Sequence, residues 1–180
     1  QKKEGFHLPY TKDTIAEALY LIAKNKFHYC SLLRLEATIN RYTQTEYALN
    51  EIFIGHKKPY KMTRLVVTVH GKTHMIKSSG IVIGTPAGYR AWLKSMGGRK
   101  MPLHAQKYQY VIREPYEGRL HQHITRQETL NAHETISINS LTPEAIVVVD
   151  SLSKEYAFPL GSSIKIKATH HPLKYICPQK

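Results

Sequence analysis

The sequence predicts a mainly β protein: an antiparallel two-sheet, sandwich-like domain with one N-terminal helix and one short internal helix. Three observations predict it. Apolar and polar residues alternate with period two along much of the chain, turn residues cut these runs short, and only two stretches carry helical spacing. With 180 residues, 42% of them hydrophobic and 22% charged, the chain can bury a real core and does not resemble a disordered one.

The first element follows Pro9. Thr14 stands as an N-cap with Glu17 three residues on, and Ile15, Leu19, Ile22 and Ala23 recur at helical spacing, which predicts an amphipathic helix opened by a capping box. From Tyr29 the period becomes two, Leu33, Leu35, Ala37 and Ile39 facing one way and Arg34, Glu36 and Thr38 the other, as in a half-buried strand. The runs at 48–54, 64–70, 73–76, 79–85, 108–113, 134–138, 145–150, 155–160 and 163–169 repeat this pattern, so about nine strands are expected. Between them, YRAWLKSM (89–96) follows Thr85-Pro86-Ala87-Gly88 and stops at Gly97-Gly98, predicting the short internal helix. A strand, a tight turn and a helix start fall there in sequence, so backbone N–H groups become available to a ligand. Residues 99–135 are more polar and read as long loops or an exposed hairpin around the 108–116 strand. Residues 1–28 are expected to be a linker and helix, and 29–180 the β-rich domain.

Charge and cysteine content narrow the function classes. Lys and Arg number 26 against 13 Asp and Glu, a formal charge of +13, which points to a polyanionic partner. The basic positions His56, Lys57, Lys58, Lys61 and Arg64 read as solvated faces that can also draw in phosphates. No run approaches the roughly 18 apolar residues of a membrane span, so no membrane partner is expected. Cys30 and Cys177 lie near opposite ends of the chain; they are not close-spaced zinc ligands and are expected to be free thiols of a cytoplasmic protein. His121 and His123 fall on one face if extended, while His170 and His171 point apart; with no third ligand evident, no metal site is expected. The first residues, QKKEGFHLPY, hold neither an apolar leader core nor an initiator Met, so a longer parent polypeptide is expected.

The residues that bear on chemistry cluster in two places. Asn50 offers a donor and an acceptor that suit a ribose or adenine edge, or else a neighbouring turn. Glu51 faces the opposite way unless the strand bulges, and an ion pair is its structural alternative. Thr85 to Gly88 form either a ligand-facing turn or only a strand-to-helix connection, and Trp92 is either core or a base-stacking platform.

The stretch from Lys77 to Gly98, KSSGIVIGTPAGYRAWLKSMGG, resembles the C-terminal signature of the NAD kinase family, where Gly-Asp-Gly leads through a strand into Thr-Pro-Thr-Gly-Ser-Thr-Ala-Tyr and a Gly-Gly pair. LRLEAT (33–38), ALNEIFI (48–54) and the run from Ile146 to Ile176 look like that family's flanking strands, in the same order. The resemblance implies that Asn50 and Glu51 contact the adenosine ribose of NAD, that Thr85 and Gly88 shape the turn, and that Arg90, Ala91, Trp92 and Ser95 surround the adenine. Ser79 stands where most members carry an Asp that reaches the nicotinamide side of a ligand in a neighbouring subunit; the KSSG form resembles the mitochondrial-type branch. Arg90 replaces a Thr with a long cation that either fills the pocket or reaches a phosphate. The family's Gly-Gly-Asp-Gly-Thr motif, with its phosphate contacts and catalytic Asp, occurs nowhere in the sequence. The resemblance therefore implies an NAD-binding C-terminal domain of a homo-oligomeric dimer or tetramer. The complete protein would use ATP or polyphosphate with Mg2+ to phosphorylate NAD, while this chain alone would catalyse nothing. A non-catalytic nucleotide sensor is one alternative. A basic nucleic-acid-binding β domain is the other; it lacks an aromatic-basic RNA motif on its strands, so nucleic acid is not an expected partner.

Overall fold

The computed structural model describes residues 11–178 apart from 45, 117–124 and 153. The helix α1 (Ile15–Ala23) opens the chain, followed by β1 (Phe27–Leu32), β2 (Leu35–Ile39), β3 (Tyr42–Thr43), β4 (Glu51–His56), β5 (Thr63–Val69), β6 (Lys72–Ser78) and β7 (Gly80–Gly84). After two single 3-10 turns, Ala87–Arg90 and Leu93–Met96, come β8 (Lys107–Arg113), β9 (Gln127–Asn131), β10 (Ile136–Ser140), β11 (Ala145–Val149), β12 (Glu155–Ala157), β13 (Ser163–Ala168) and β14 (Leu173–Pro178). The expected internal helix is thus a pair of turns. Pro86, Gly88 and the Gly97-Gly98 pair crowd into a stretch too short to propagate α-helical hydrogen bonds.

Two compact units emerge, residues 32–173 and residues 1–31 with 174–180. The larger holds two six-stranded sheets, ordered β3-β2-β13-β10-β5-β6 and β12-β11-β4-β7-β8-β9. Period two decides which side chains meet between them. Leu35, Ala37 and Ile39 of β2, Leu65, Val67 and Val69 of β5, and Ile164 and Ile166 of β13 share one cluster with Ile52 and Ile54 of β4, Ile81 and Ile83 of β7 and Val147 of β11. Full burial of each large aliphatic side chain contributes about 1.5–3 kcal/mol. A smaller cluster lies on the other face of the second sheet, where Val82, Val111 and Leu93 are buried beside Phe53, Trp92 and Met96. The β5–β6 hairpin turns at His70 and Gly71, both with positive φ (50° and 74°), as a tight two-residue turn of right-handed twist requires.

The smaller unit contains α1, a two-stranded sheet of β1 and β14, and a disulfide between Cys30 and Cys177. The cysteines are therefore not free thiols: strand pairing brings together residues 147 apart in sequence. The capping box is also absent. Thr14 makes no cap bond at the helix N-terminus, because its hydroxyl accepts the Thr11 N–H at 2.9 Å instead. No helix among the described residues is long and apolar enough to cross a membrane.

Candidate functional site at the head of β4

Antiparallel pairing sets Glu51 at the start of β4 against Gly84 at the end of β7, so residues 49–51 and the turn after β7 lie side by side. Asp150 fixes the first of these segments. Its carboxylate accepts the backbone N–H groups of Leu49 at 2.7 Å, Asn50 at 2.7 Å and Glu51 at 3.0 Å. Its own N–H donates to Glu51 O at 2.9 Å. It does so from a left-handed conformation, φ 49°, which Asp tolerates better than most residues.

Thr85 fixes the second segment. Fully buried, it donates its N–H to Asn50 O at 2.9 Å, its hydroxyl bonds Leu49 O, and that hydroxyl accepts Gly88 N–H at 3.2 Å. The approach is so close that a β-carbon at Gly88 would overlap the Asn50 carbonyl oxygen, which makes glycine a requirement there. Asn50 is thus held by its backbone, and its half-buried side-chain amide is not spent on any described neighbour.

Glu51 is only 4% exposed. Burial, reinforced by the negative charge of Asp150, raises its carboxyl from 4.5 to about 7, against the smaller opposing pull of the Ser151 hydroxyl and the Trp92 backbone. Ser151 donates to Oε1 at 3.4 Å, while Oε2 is buried with no hydrogen-bond partner. A buried, unpaired carboxylate oxygen is costly and rare in a native structure, and the residue before it, Asn50, carries an uncommitted amide. Together they can accept from, and donate to, neighbouring hydroxyls of a sugar.

The remaining expected residues divide between two ends of β7. Trp92 is half-buried, its ring 5.2 Å from that of Phe53 and beneath the Arg113 guanidinium at 5.6 Å. It is thus part of the small cluster, and its backbone lies beside the Glu51 carboxyl. Arg90 and Ala91 are exposed. Ser95 is exposed too, and its hydroxyl donates to Trp92 O at 2.7 Å, bracing the turn. Ser79 is not brought to this cluster: it precedes β7 at the opposite end, about 17 Å from Gly84 at 3.3 Å per residue. Its hydroxyl donates to Glu114 at 2.5 Å. At that far end His56, Lys61, Arg64 and Lys77 line a recess of about 320 Å3.

Sequence reasoning assigned no part to Asp150 or Gln109. Gln109, 1% exposed, clasps Arg99 in both directions, accepting its N–H at 2.8 Å and donating to its carbonyl at 2.7 Å, which closes the loop after the turns. An Asp directly after an apolar strand and before Ser was the available signal for the first; a lone Gln within a strand gives none for the second. Among the histidines, His171 stacks on Tyr47 at 5.5 Å, and His121 and His123 lie outside the described residues.

No protein-family model matches the chain. It is 29% identical over 154 residues to a probable NADH kinase of Oryza sativa subsp. japonica, covering 82% of this chain and 47% of that one. It is 26% identical over 167 residues to an NAD kinase of Methanosarcina barkeri, covering 91% and 56%. The chain thus spans about half the length of these curated relatives. In fold it is similar to yeast NADH kinase complexed with NADH, at TM-score 0.84, 16% identity and coverage of 99% of this chain and 53% of that one. An Archaeoglobus fulgidus NAD kinase in complex with ATP superposes at TM-score 0.74 with 21% identity, covering 93% and 61%.

Proposed function

We propose that this chain, similar over most of its length to NAD and NADH kinases, is the β-rich NAD-binding portion, residues 29–180 after a 1–28 linker and helix, of a kinase that makes NADP. The complete protein transfers phosphate from ATP or polyphosphate to the 2'-hydroxyl of NAD's adenosine ribose. The observation that carries this reading is Glu51, whose buried oxygen has no hydrogen-bond partner, directly after Asn50, whose amide is uncommitted. A ribose diol supplies the donors such a carboxylate lacks, and a bound hydroxyl relieves the burial cost.

In this reading Arg90, Ala91, Trp92 and Ser95 flank the adenine, Thr85 and Gly88 hold the turn in place, and Ser79 faces a ligand held by a neighbouring copy in a dimer or tetramer. Mg2+ accompanies the phosphates of ATP. Among the described residues the one metal-competent cluster carries two sulfurs, which do not suit that hard cation. The cytoplasm is the proposed compartment.

The test is NADP formation by the protein from its full natural gene, with ATP, Mg2+ and NAD, beside the 180-residue chain. Turnover by the longer protein alone is expected. Bound NAD without turnover by either would favour the sensor alternative.

A further inference from the structure

We propose that His28, Cys30 and Cys177 form a redox-gated zinc site tying the first strand of the smaller unit to its last. The donor atoms of the three residues lie within 4.8 Å of one another. Cys30 and Cys177 face each other across β1 and β14, with Cα atoms 6.1 Å apart and a disulfide between them. His28 precedes Cys30 by two residues on β1, so the pleat turns both side chains to one face. The His28 side chain is exposed and committed to no described neighbour, whereas the two cysteines are half-buried.

In the oxidised state neither sulfur is a thiolate, and the site has one nitrogen donor only. A dithiol reductant supplies two electrons and two protons: the S–S bond breaks, two thiols form, and the reductant departs as its own disulfide. Zn2+ then displaces both thiol protons to solvent and takes two thiolates at about 2.3 Å and the imidazole at about 2.0–2.1 Å, leaving its fourth position to water. Two sulfurs and one imidazole select this borderline-soft cation over Mg2+ or Ca2+. The ends of the smaller unit therefore stay joined in either state, by a covalent bond or by the metal. Disulfides of cytoplasmic proteins are characteristically of this transient kind. The sequence hides the site because its sulfurs are 147 residues apart.

The experiment takes the full chain, oxidised or reduced with a phosphine, and titrates it with Co2+ and then with competing Zn2+. One equivalent per chain is expected after reduction and none before, with a sulfur-to-cobalt charge-transfer band. Cys30→Ser, Cys177→Ser and His28→Ala should each weaken zinc binding by more than the roughly 10–100-fold that loss of an outer-shell partner costs. His28→Ala keeps the disulfide and judges the proposal if the cysteine variants do not fold. No metal bound by reduced protein, equal binding by oxidised protein, or full affinity in reduced His28→Ala would each overturn it.

Discussion

Replacing Glu51 by Gln keeps the shape of the side chain and removes its ionisation. The wild-type carboxyl has its folded-state value raised from 4.5 to about 7 by burial and by Asp150. A group raised in this way is protonated in both states below 4.5 and has no effect there. Between 4.5 and 7 the folded chain retains a proton that the unfolded chain has released, so stability falls as pH rises; above 7 the whole penalty is present. Undamped, that penalty is roughly 3 kcal/mol. Relaxation of the site around the ionised carboxylate damps it, and about 1–2 kcal/mol is the expected figure. Urea denaturation of both proteins from pH 4.5 to about 8 measures it. The gap between them should open in favour of Glu51→Gln by that amount across the interval and then level off. A gap that stays constant over the interval, or one that closes, would refute the claim that Glu51 is held in an unfavourable buried state.

Three further outcomes follow from the same contacts. Asp150→Ala removes the acceptor for three backbone N–H groups and places Ala at φ 49°; denaturant midpoints should report a loss of about 3 kcal/mol, with Asp150→Asn losing less because Asn tolerates that φ. Gly88→Ala drives a methyl group into the Asn50 carbonyl oxygen, and should cost about 1–3 kcal/mol while lowering NAD affinity in calorimetry. Gln109→Leu leaves the Arg99 N–H and carbonyl without their buried partner, and should cost about 1–3 kcal/mol in the same denaturation assay.

Much of the core was legible because alternation is a direct record of which face is buried: Leu65, Val67 and Val69 in one strand, Ile81 and Ile83 in another. β9 was hidden within a stretch read as loops or a hairpin, since Leu130 is its one fully buried residue. β14 lies beyond 163–169, the last run that alternation marks, and its pairing with β1 is non-local. The run from Tyr29 to Ile39 is two strands rather than one, because the chain leaves one sheet for another near Leu33 and Arg34. At the site, Asn50 and Glu51 were visible as residue types. The acceptor that holds them, Asp150, contacts them across 99 to 101 positions, and no local pattern encodes such a contact. The disulfide was missed for the same reason.

In the proposed function the head of β4 holds the adenosine end of NAD. Calorimetric titration of NAD into the protein from its full natural gene, wild type against Asn50→Ala and Glu51→Ala, tests it most directly, with Ser79→Ala as a comparison from the far end of β7. Each of the first two should weaken binding by about tenfold or more, the worth of a hydrogen bond to a charged or buried group, and Ser79→Ala should weaken it less. Unchanged affinity in both Asn50→Ala and Glu51→Ala would contradict it.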